Sequence, residues 1–288
     1  MEERVAYIGF GEAAQAFAGA DGWSASTTGF DLKTLSEGNR QAKLAEFAAC
    51  RVAPSETLAD ALGTADCVIS VVTADQALAA AEAATASLRP DSLYLDFNSV
   101  APETKCEAAR LVARAGAHYV DVAVMAPVHP KRLATPLLLS GEQAERAAHC
   151  LTRCGFTDLR TVGADVGRAS TIKMIRSIMI KGAEALTACC ALAASRAGVL
   201  DEITTSLGSE WESKVDYNLD RMLTHGQRRA AEMDEVVKTL AALSLDPGLA
   251  ASTAAWQRLV AAANPGQVPE TLSDKLALIA ELERAAAE

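Results

Sequence analysis

Aromatic side chains are scarce in this sequence, at 5% of 288 residues, while half of all residues are apolar. The core must therefore come mainly from small and aliphatic side chains, alanine above all. Positive charge is also short: 27 Lys and Arg face 37 Asp and Glu, for a net charge of −10. That balance excludes nucleic acid as a main partner, because phosphate binding needs clustered cations. No stretch approaches about eighteen uninterrupted apolar residues, so no membrane span is expected. The seven cysteines (Cys50, Cys67, Cys106, Cys150, Cys154, Cys189 and Cys190) form no C-x-x-C and have no histidine at metal spacing. This pattern and the odd count favour reduced, mostly buried thiols in a cytosolic protein over a metal site or a disulfide framework. Cys150 and Cys154 lie one helical turn apart, which suits side-by-side packing as well as it would suit ligation. Glu2, Glu3 and Arg4 lead directly into Val5, which reads as a folded strand rather than a signal peptide.

What is present begins at once. The apolar run Val5-Ala6-Tyr7-Ile8 breaks into Gly9-Phe10-Gly11-Glu12-Ala13-Ala14 and then an alanine-rich stretch through Gln15, Ala16, Phe17 and Ala18. This is strand, G-x-G-x-x-A turn and helix. Gly9 allows the tight turn, Gly11 lets backbone approach a pyrophosphate, and Ala14 is small enough for close helix–strand packing. The helix N-terminus offers N–H groups to the phosphates. Twenty residues after Gly11, Asp31 closes the strand-like Ser26-Thr27-Thr28-Gly29-Phe30. Its carboxylate would accept from ribose hydroxyls and repel a 2′-phosphate, favouring NAD over NADP. Lys33 nearby could tolerate that phosphate, and an Asp ahead of a helix is also an N-cap. The expected cofactor is thus NAD or NADP, with Asp31 weighing for NAD.

From residue 4 to about 162, short apolar runs alternate with helical stretches. Cys67-Val68-Ile69-Ser70-Val71-Val72 follows a helix capped near Ser55 or Glu56. A helix from about Asp75 to Leu88 stops at Arg89-Pro90. Leu93-Tyr94-Leu95-Asp96 is the next strand, and Pro102 suits the first turn of the helix after it. Tyr119-Val120-Asp121-Val122-Ala123-Val124 and Pro136-Leu137-Leu138-Leu139-Ser140 are two more strands. Apolar strands alternating with helices imply a parallel sheet covered on both faces. From about Val166 to Arg196 there is no proline and only Gly182 as a breaker. Such a segment makes a helix of roughly 45 Å, too long for a crossover. Beyond it come helices and short turns, with Asp246-Pro247 as N-cap and N1, a break at Asn264-Pro265-Gly266, and a last helix from about Glu270. The expected architecture is an α/β Rossmann domain over residues 1–163, a long inter-domain helix, and an all-α helical domain over residues 164–288.

Hydride transfer needs a group that manages the alcohol proton. Lys173 lies in the apolar segment Thr171-Ile172-Lys173-Met174-Ile175, and Arg176, Ser177, Ile180, Lys181 and Glu184 share its helical face. A polar stripe on an apolar helix suits a cleft between domains, where a partly desolvated lysine can act as general base or acid. A surface lysine with a snorkelling stem is the alternative.

Several landmarks together resemble the β-hydroxyacid dehydrogenase superfamily, which includes 3-hydroxyisobutyrate and 6-phosphogluconate dehydrogenases. They are residues 9–14, Asp96-Phe97-Asn98-Ser99 with Pro102 after it, residues 120–124, and Gly163 leading to Gly167 and Lys173. The resemblance covers roughly the first 200 residues. The stretch His225-Gly226-Gln227-Arg228-Arg229-Ala230-Ala231-Glu232-Met233 resembles a bacterial branch with a phosphogluconate-dehydrogenase-like C-terminal domain. The resemblance implies that Lys173 is the catalytic lysine and that Asn98 and Ser99 meet nicotinamide and substrate. It implies that Val71, Val72 and Thr73 line the cofactor, and that Val124, Met125 and Ala126 grip the substrate's acidic group. A helical dimerisation domain, hence a homodimer, is implied too.

Three departures bear on the substrate. Ser177 stands where the family usually has Asn, Met125-Ala126-Pro127 replaces a Ser-Gly-Gly loop, and His129, Lys131 and Arg132 follow Asp121. Pro127 has no N–H to donate. His225, Arg228, Arg229, Glu232 and Glu235 recur at spacings of three and four. They either pair along a solvated face, or His225 and Arg229 close the substrate site on a carboxylate or phosphate. Trp211 and Trp256 are expected to pack helices. The function so implied is an NAD(P)-dependent oxidoreductase acting on the CH–OH group of a small acidic substrate, a hydroxy acid or related polyol acid. Lys173 would be its general acid/base, with Ser177 and Asn98 orienting the substrate. An imine reductase-like enzyme and a non-catalytic dinucleotide-binding protein are the alternatives.

Overall fold

The computed structural model describes residues 3–208, 210–263 and 265–287, so Glu2 and Asn264 lie outside the described residues. Eight strands form one sheet: β1 (Arg4–Ile8), β2 (Ser26–Phe30), β3 (Ala53–Pro54), β4 (Cys67–Ser70), β5 (Leu93–Asp96), β6 (His118–Val124), β7 (Leu137–Ser140) and β8 (Leu159–Thr161). Helices α1 (Glu12–Ala18), α2 (Glu37–Ala49), α3 (Leu58–Leu62), α4 (Ala77–Ala84), α5 (Pro102–Arg114), α6 (Val128–Lys131) and α7 (Ala144–Arg153) connect them. The strand order is β3-β2-β1-β4-β5-β6-β7-β8. Strands β1 to β6 pair in parallel, as the alternating pattern implies.

One expectation is corrected here: the sheet is mixed, because β6 and β7 run antiparallel, with Asp121 opposite Ser140 and Val124 opposite Leu137. A parallel pair needs a crossover element. The link between these strands carries Pro127, Pro130 and Pro136 and only the four-residue α6, so the chain turns back instead. The two-residue β3 and the three-residue β8 have too few apolar residues to signal themselves.

Alternate side chains of each strand feed two cores. Val5, Tyr7, Cys67, Ile69, Leu93, Leu95, Val120 and Val122 point to one face, under α1, α2 and α7. Ala6, Ile8, Val68, Tyr94 and Tyr119 point to the other, under α3, α4 and α5. Burial on both faces is why these strands read as continuous apolar runs. The few aromatics are concentrated rather than spread: Tyr7, Phe10, Phe17, Trp23, Phe47, Phe97 and Phe156 form a chain of ring contacts in the first core.

Two local expectations shift. The cap of α3 is Thr57, whose hydroxyl accepts from Asp60 N at 3.1 Å, in place of Ser55 or Glu56. The helix expected to run to Leu88 is α4, which ends at Ala84 after a one-turn 3-10 segment at Ala74–Gln76.

The second half of the chain holds α8 (Arg168–Ala197), α9 (Leu200–Leu207), α10 (Trp211–Ala242), α11 (Gly248–Ala261) and α12 (Leu272–Ala287). The chain divides into two compact units, Met1–Lys173 and Met174–Glu288, so the boundary falls inside α8 rather than at residue 163. By length and composition α8 could cross a membrane. One face of it packs in the helical core: Ala188, Ala191 and Leu192 pack with Val215, Leu219 and Met222 of α10, and Trp211 and Trp256 pack at the margin as expected. At α11, Asp246 Oδ1 accepts from Gly248 N at 2.8 Å, and the N-cap residue is Pro247 rather than Asp246, so the helix begins one residue later than predicted. Gly226 sits where α10 crosses α11; a Cβ there would lie 2.6 Å from Gln257 O and 2.7 Å from the Ala261 Cβ. Only glycine permits that approach.

Candidate active site

The glycine turn follows β1 as the motif requires. Gly9 has φ +82°, and a Cβ there would lie 2.7 Å from both Val71 O and Val72 Cγ1. A Cβ on Gly11 would meet nothing within 4 Å, and Gly11 gives α1 no side-chain cap. An open glycine face beside helix-terminal N–H groups fits the pyrophosphate of a dinucleotide. Glu12 and Ala13 lie at the surface end of this turn while Ala14 is buried against the strand.

Phe10, between the two glycines, is fixed on every side. Its N–H donates to Asp31 Oδ2 at 2.8 Å, and its carbonyl accepts from Lys43 Nζ at 2.9 Å and Gln15 Nε2 at 3.2 Å. Its ring stacks on Phe47 at 4.2 Å. Asp31 thus braces the turn, and its Oδ1 also accepts from Lys33 N at 2.9 Å. The Lys33 side chain is exposed. Lys43, missed from sequence, is 5% exposed and pairs with Glu46, with Asp31 Oδ2 at 3.9 Å. Its signal was a lysine one turn before Phe47 on the buried face of α2.

Val71, Val72 and Thr73 lie beyond the end of β4, and Val71 and Val72 cover the glycine turn. Asn98 clamps this segment from β5: its Oδ1 accepts from Val72 N at 2.6 Å and its Nδ2 donates to Ser70 Oγ at 3.1 Å. The Asn98 amide therefore ties two strand ends together. Ser99, next in sequence and half-buried, accepts a hydrogen bond from Lys173 Nζ. The structure thus brings together the cofactor turn, the Asn98 clamp and the Lys173–Ser99 pair on one unit. These lie at the C-terminal ends of parallel strands, where doubly wound folds bind ligands.

At the end of β6, Val124 pairs with Leu137, and Met125 N–H donates to Pro136 O at 2.9 Å, extending the antiparallel ladder. Ala126 follows, half-buried, ahead of Pro127.

Beneath this layer is a buried charge cluster centred on Lys105, a residue the sequence did not single out. Lys105 Nζ lies 2.9 Å from Asp96 Oδ1, 3.3 Å from Asp121 Oδ1 and 2.7 Å from Asp96 O, with all three residues at most 1% exposed. Tyr119 OH donates to Asp96 Oδ2 at 2.6 Å, and burial together with the two carboxylates pushes its phenol well above the usual range. Asp121 accepts from Ser170 N at 2.9 Å and Ser170 Oγ at 2.7 Å, so it caps α8. The signal was Lys105 falling on the apolar face of α5 with Ala108 and Val112.

In the helical unit Ser177 is buried and accepts from Lys181 Nζ at 3.1 Å, and Lys181 pairs with Glu232 at 2.9 Å. Arg229 is 6% exposed and its guanidinium makes a two-point pair with Glu184, which also accepts from Gln257 Nε2 at 2.9 Å. Glu235 is buried too, paired with Lys238 at 2.7 Å. The solvated charged face considered from sequence is therefore corrected: α10 turns much of it inward because a facing helix supplies Glu184. His225 is half-buried one turn ahead of Arg229. All seven cysteines are free, but only Cys67, Cys150 and Cys154 are fully buried, fewer than expected.

Residues 5–161 match the family model described as the NAD binding domain of 6-phosphogluconate dehydrogenase, and residues 194–260 match a domain of unknown function (DUF1932). A conserved hypothetical protein from Sinorhizobium meliloti 1021 is 34% identical over 98% of this chain and 97% of its own, with TM-score 0.77. The fold is shared with Mycobacterium tuberculosis 3-hydroxyisobutyrate dehydrogenase bound to L-serine, at 17% identity over 98% of this chain and 99% of that one, with TM-score 0.75. It is also shared with an imine reductase variant from Myxococcus stipitatus bound to NAD+, at 20% identity over 98% and 100%, with TM-score 0.56. The chain belongs to the family defined by the NAD binding domain of 6-phosphogluconate dehydrogenase, with that NAD(P)-binding Rossmann domain followed by a helical region whose residues 194–260 match DUF1932.

Proposed function

We propose that this protein is an NAD(P)-dependent oxidoreductase acting on the CH–OH group of a hydroxy acid or related polyol acid, with Lys173 as general acid and base. The observation that carries this reading is the hydrogen bond from Lys173 Nζ to Ser99 Oγ, one residue from the Asn98 clamp that touches the cofactor-lining Val72. When bound, the nicotinamide ring accepts or returns the hydride. Uncharged Lys173 takes the hydroxyl proton as the substrate is oxidised, and the charged form returns it on reduction. Ser99 holds Nζ in place. Asn98 acts by fixing the segment carrying Val71 and Val72. Ser177, one turn along α8 and accepting from Lys181 Nζ at 3.1 Å, is the residue we assign to orienting the substrate.

Asp31 supports NAD: its carboxylate stands at the end of β2, where a 2′-phosphate would meet a negative charge. Free thiols and an acidic balance fit a reducing compartment such as the cytoplasm. Imine reduction is the second reading, favoured only by the shared fold. It has no hydroxyl proton to move, which is the job the Lys173–Ser99 pair can do. The test is a substrate panel run with the Lys173→Ala variant beside the native protein. Turnover of a hydroxy acid that falls about 10²–10⁴-fold in the variant supports the proposal. Turnover of cyclic imines alone, or a variant as active as the native protein, overturns it.

A further inference from the structure

We infer that Lys105 is a positioning residue for the Lys173–Ser99 pair, acting through the carboxylates of Asp96 and Asp121. This rests on the reading that Lys173 and Ser99 form the reacting pair.

Ser99 and Lys173 lie 74 residues apart and come from different elements, so something must hold the two backbones in register. The loop bearing Ser99 leaves β5 at Asp96, whose Oδ1 accepts from Asn98 N at 2.8 Å and whose Oδ2 accepts from Tyr119 OH. The helix bearing Lys173 starts over β6, where Asp121 takes both the N–H and the hydroxyl of Ser170, within one turn of Lys173. Ser140 of β7 adds to the same anchor: its Oγ donates to Asp121 Oδ2 at 3.4 Å and accepts from Ala169 N at 3.0 Å. One carboxylate thus fixes the loop and the other fixes the helix. Lys105 is the group that touches both. Its own helix also meets the entry of α8, where Cys106 Sγ lies 3.5 Å from Val166 O.

The chemistry suits this task better than packing alone. Two adjacent buried carboxylates repel unless a cation stands between them, and one fully buried cation flanked by two anions costs more desolvation than an apolar side chain of the same volume. A site that needed only filling would carry leucine or methionine on the α5 face shared with Ala108 and Val112. A charged bridge instead gives direction: moving Lys105 moves both carboxylates and, with them, the two halves of the pair. The remaining negative charge sits at the N-terminus of the 30-residue α8, where the helix dipole favours it.

The test reads Lys173 itself and needs no substrate. Native protein and the variants Lys105→Met, Asp121→Asn and Ser170→Ala are labelled with an acylating, amine-directed reagent across a pH series. Labelling of Lys173 relative to exposed Lys33 is then measured by peptide mass spectrometry. In native protein the Lys173 profile should differ from that of Lys33. In Lys105→Met and Asp121→Asn that difference should be lost, with NADH affinity and the melting profile showing a folded cofactor domain. Should Lys105→Met fail to fold, Asp121→Asn keeps the geometry while turning an acceptor into a donor facing Ser170 N–H, and Ser170→Ala leaves every charge in place. Native-like Lys173 labelling in the folded variants overturns the proposal. Labelling that shifts while Lys173→Ala leaves turnover unchanged upholds the positioning role and removes the catalytic one, so the two failures are distinct. Where turnover is measurable, Lys105→Met should lower kcat with little change in KM.

Discussion

Single side chains in this protein do more bracing than their sequence context suggests. Asp31 reads as a ribose acceptor, yet its nearest duty is to the N–H of Phe10 inside the glycine turn. Asp31→Ala should leave that N–H without its partner, destabilise the protein by about 1–3 kcal/mol and weaken nucleotide binding, read by urea denaturation and an NADH titration. Unchanged stability would mean water replaces the carboxylate without cost. Lys105 presents the larger effect: Lys105→Met strands two buried carboxylates, and a loss of about 3–5 kcal/mol is expected at neutral pH. Asp66 is the exposed counterpart. Its hydrogen bond to Arg4 holds its carboxyl below the usual carboxylate range, with Arg89 adding to this. A depressed folded-state pKa gives stability that is present above the unfolded value and lost as pH falls through the folded one. The pair is half-exposed, so Asp66→Asn should cost no more than about 1 kcal/mol, and only above that window.

Elements with a strong period were legible in the sequence; those defined by a partner were not. β1, β4, β5, β6 and β7 announced themselves as apolar runs in a sheet covered on both faces, β2 through its place between the glycine turn and Asp31, and α8 because it holds no proline and only Gly182 as a breaker. The reversal between β6 and β7 was not legible from Leu137-Leu138-Leu139, which looks the same in either direction; only the proline-rich link carries the difference. Lys173 was legible as a lysine in an apolar segment, but its partner Ser99 was named through resemblance, and the cluster of Lys105, Asp96 and Asp121 brings together three distant positions that no local spacing links. The charges of α10 misled for a related reason: Arg229 looks solvated until Glu184 is seen opposite it. Gly226 is the element-scale test. Gly226→Ala pushes a methyl group into Gln257 O and Ala261, and should destabilise the helical unit by about 1–3 kcal/mol by urea denaturation. An unchanged midpoint would show that α10 and α11 can move apart freely.

At the scale of the molecule, a family-typical nucleotide fold carries a helical region whose exposed apolar side chains seek a cover. Ile175, Met179 and Leu186 recur along α8, and Met179 and Leu186 are 72% and 71% exposed. A second copy of this chain is the partner proposed from the sequence, and Met179→Glu should convert a dimer to a monomer in light scattering if that face is used. The central claim, that the glycine turn binds a nicotinamide dinucleotide for hydride transfer, has a sharper test. Gly11 has open space where a side chain would stand, and its backbone at φ −88° accepts any residue, so Gly11→Val should fold normally. The decisive measurement is a fluorescence titration of native protein and Gly11→Val with NADH and NADPH side by side. The account predicts micromolar binding to the native protein, tighter for NADH, and loss of binding in the variant at unchanged melting temperature. Equal binding by both proteins, or none by the native protein, would contradict it.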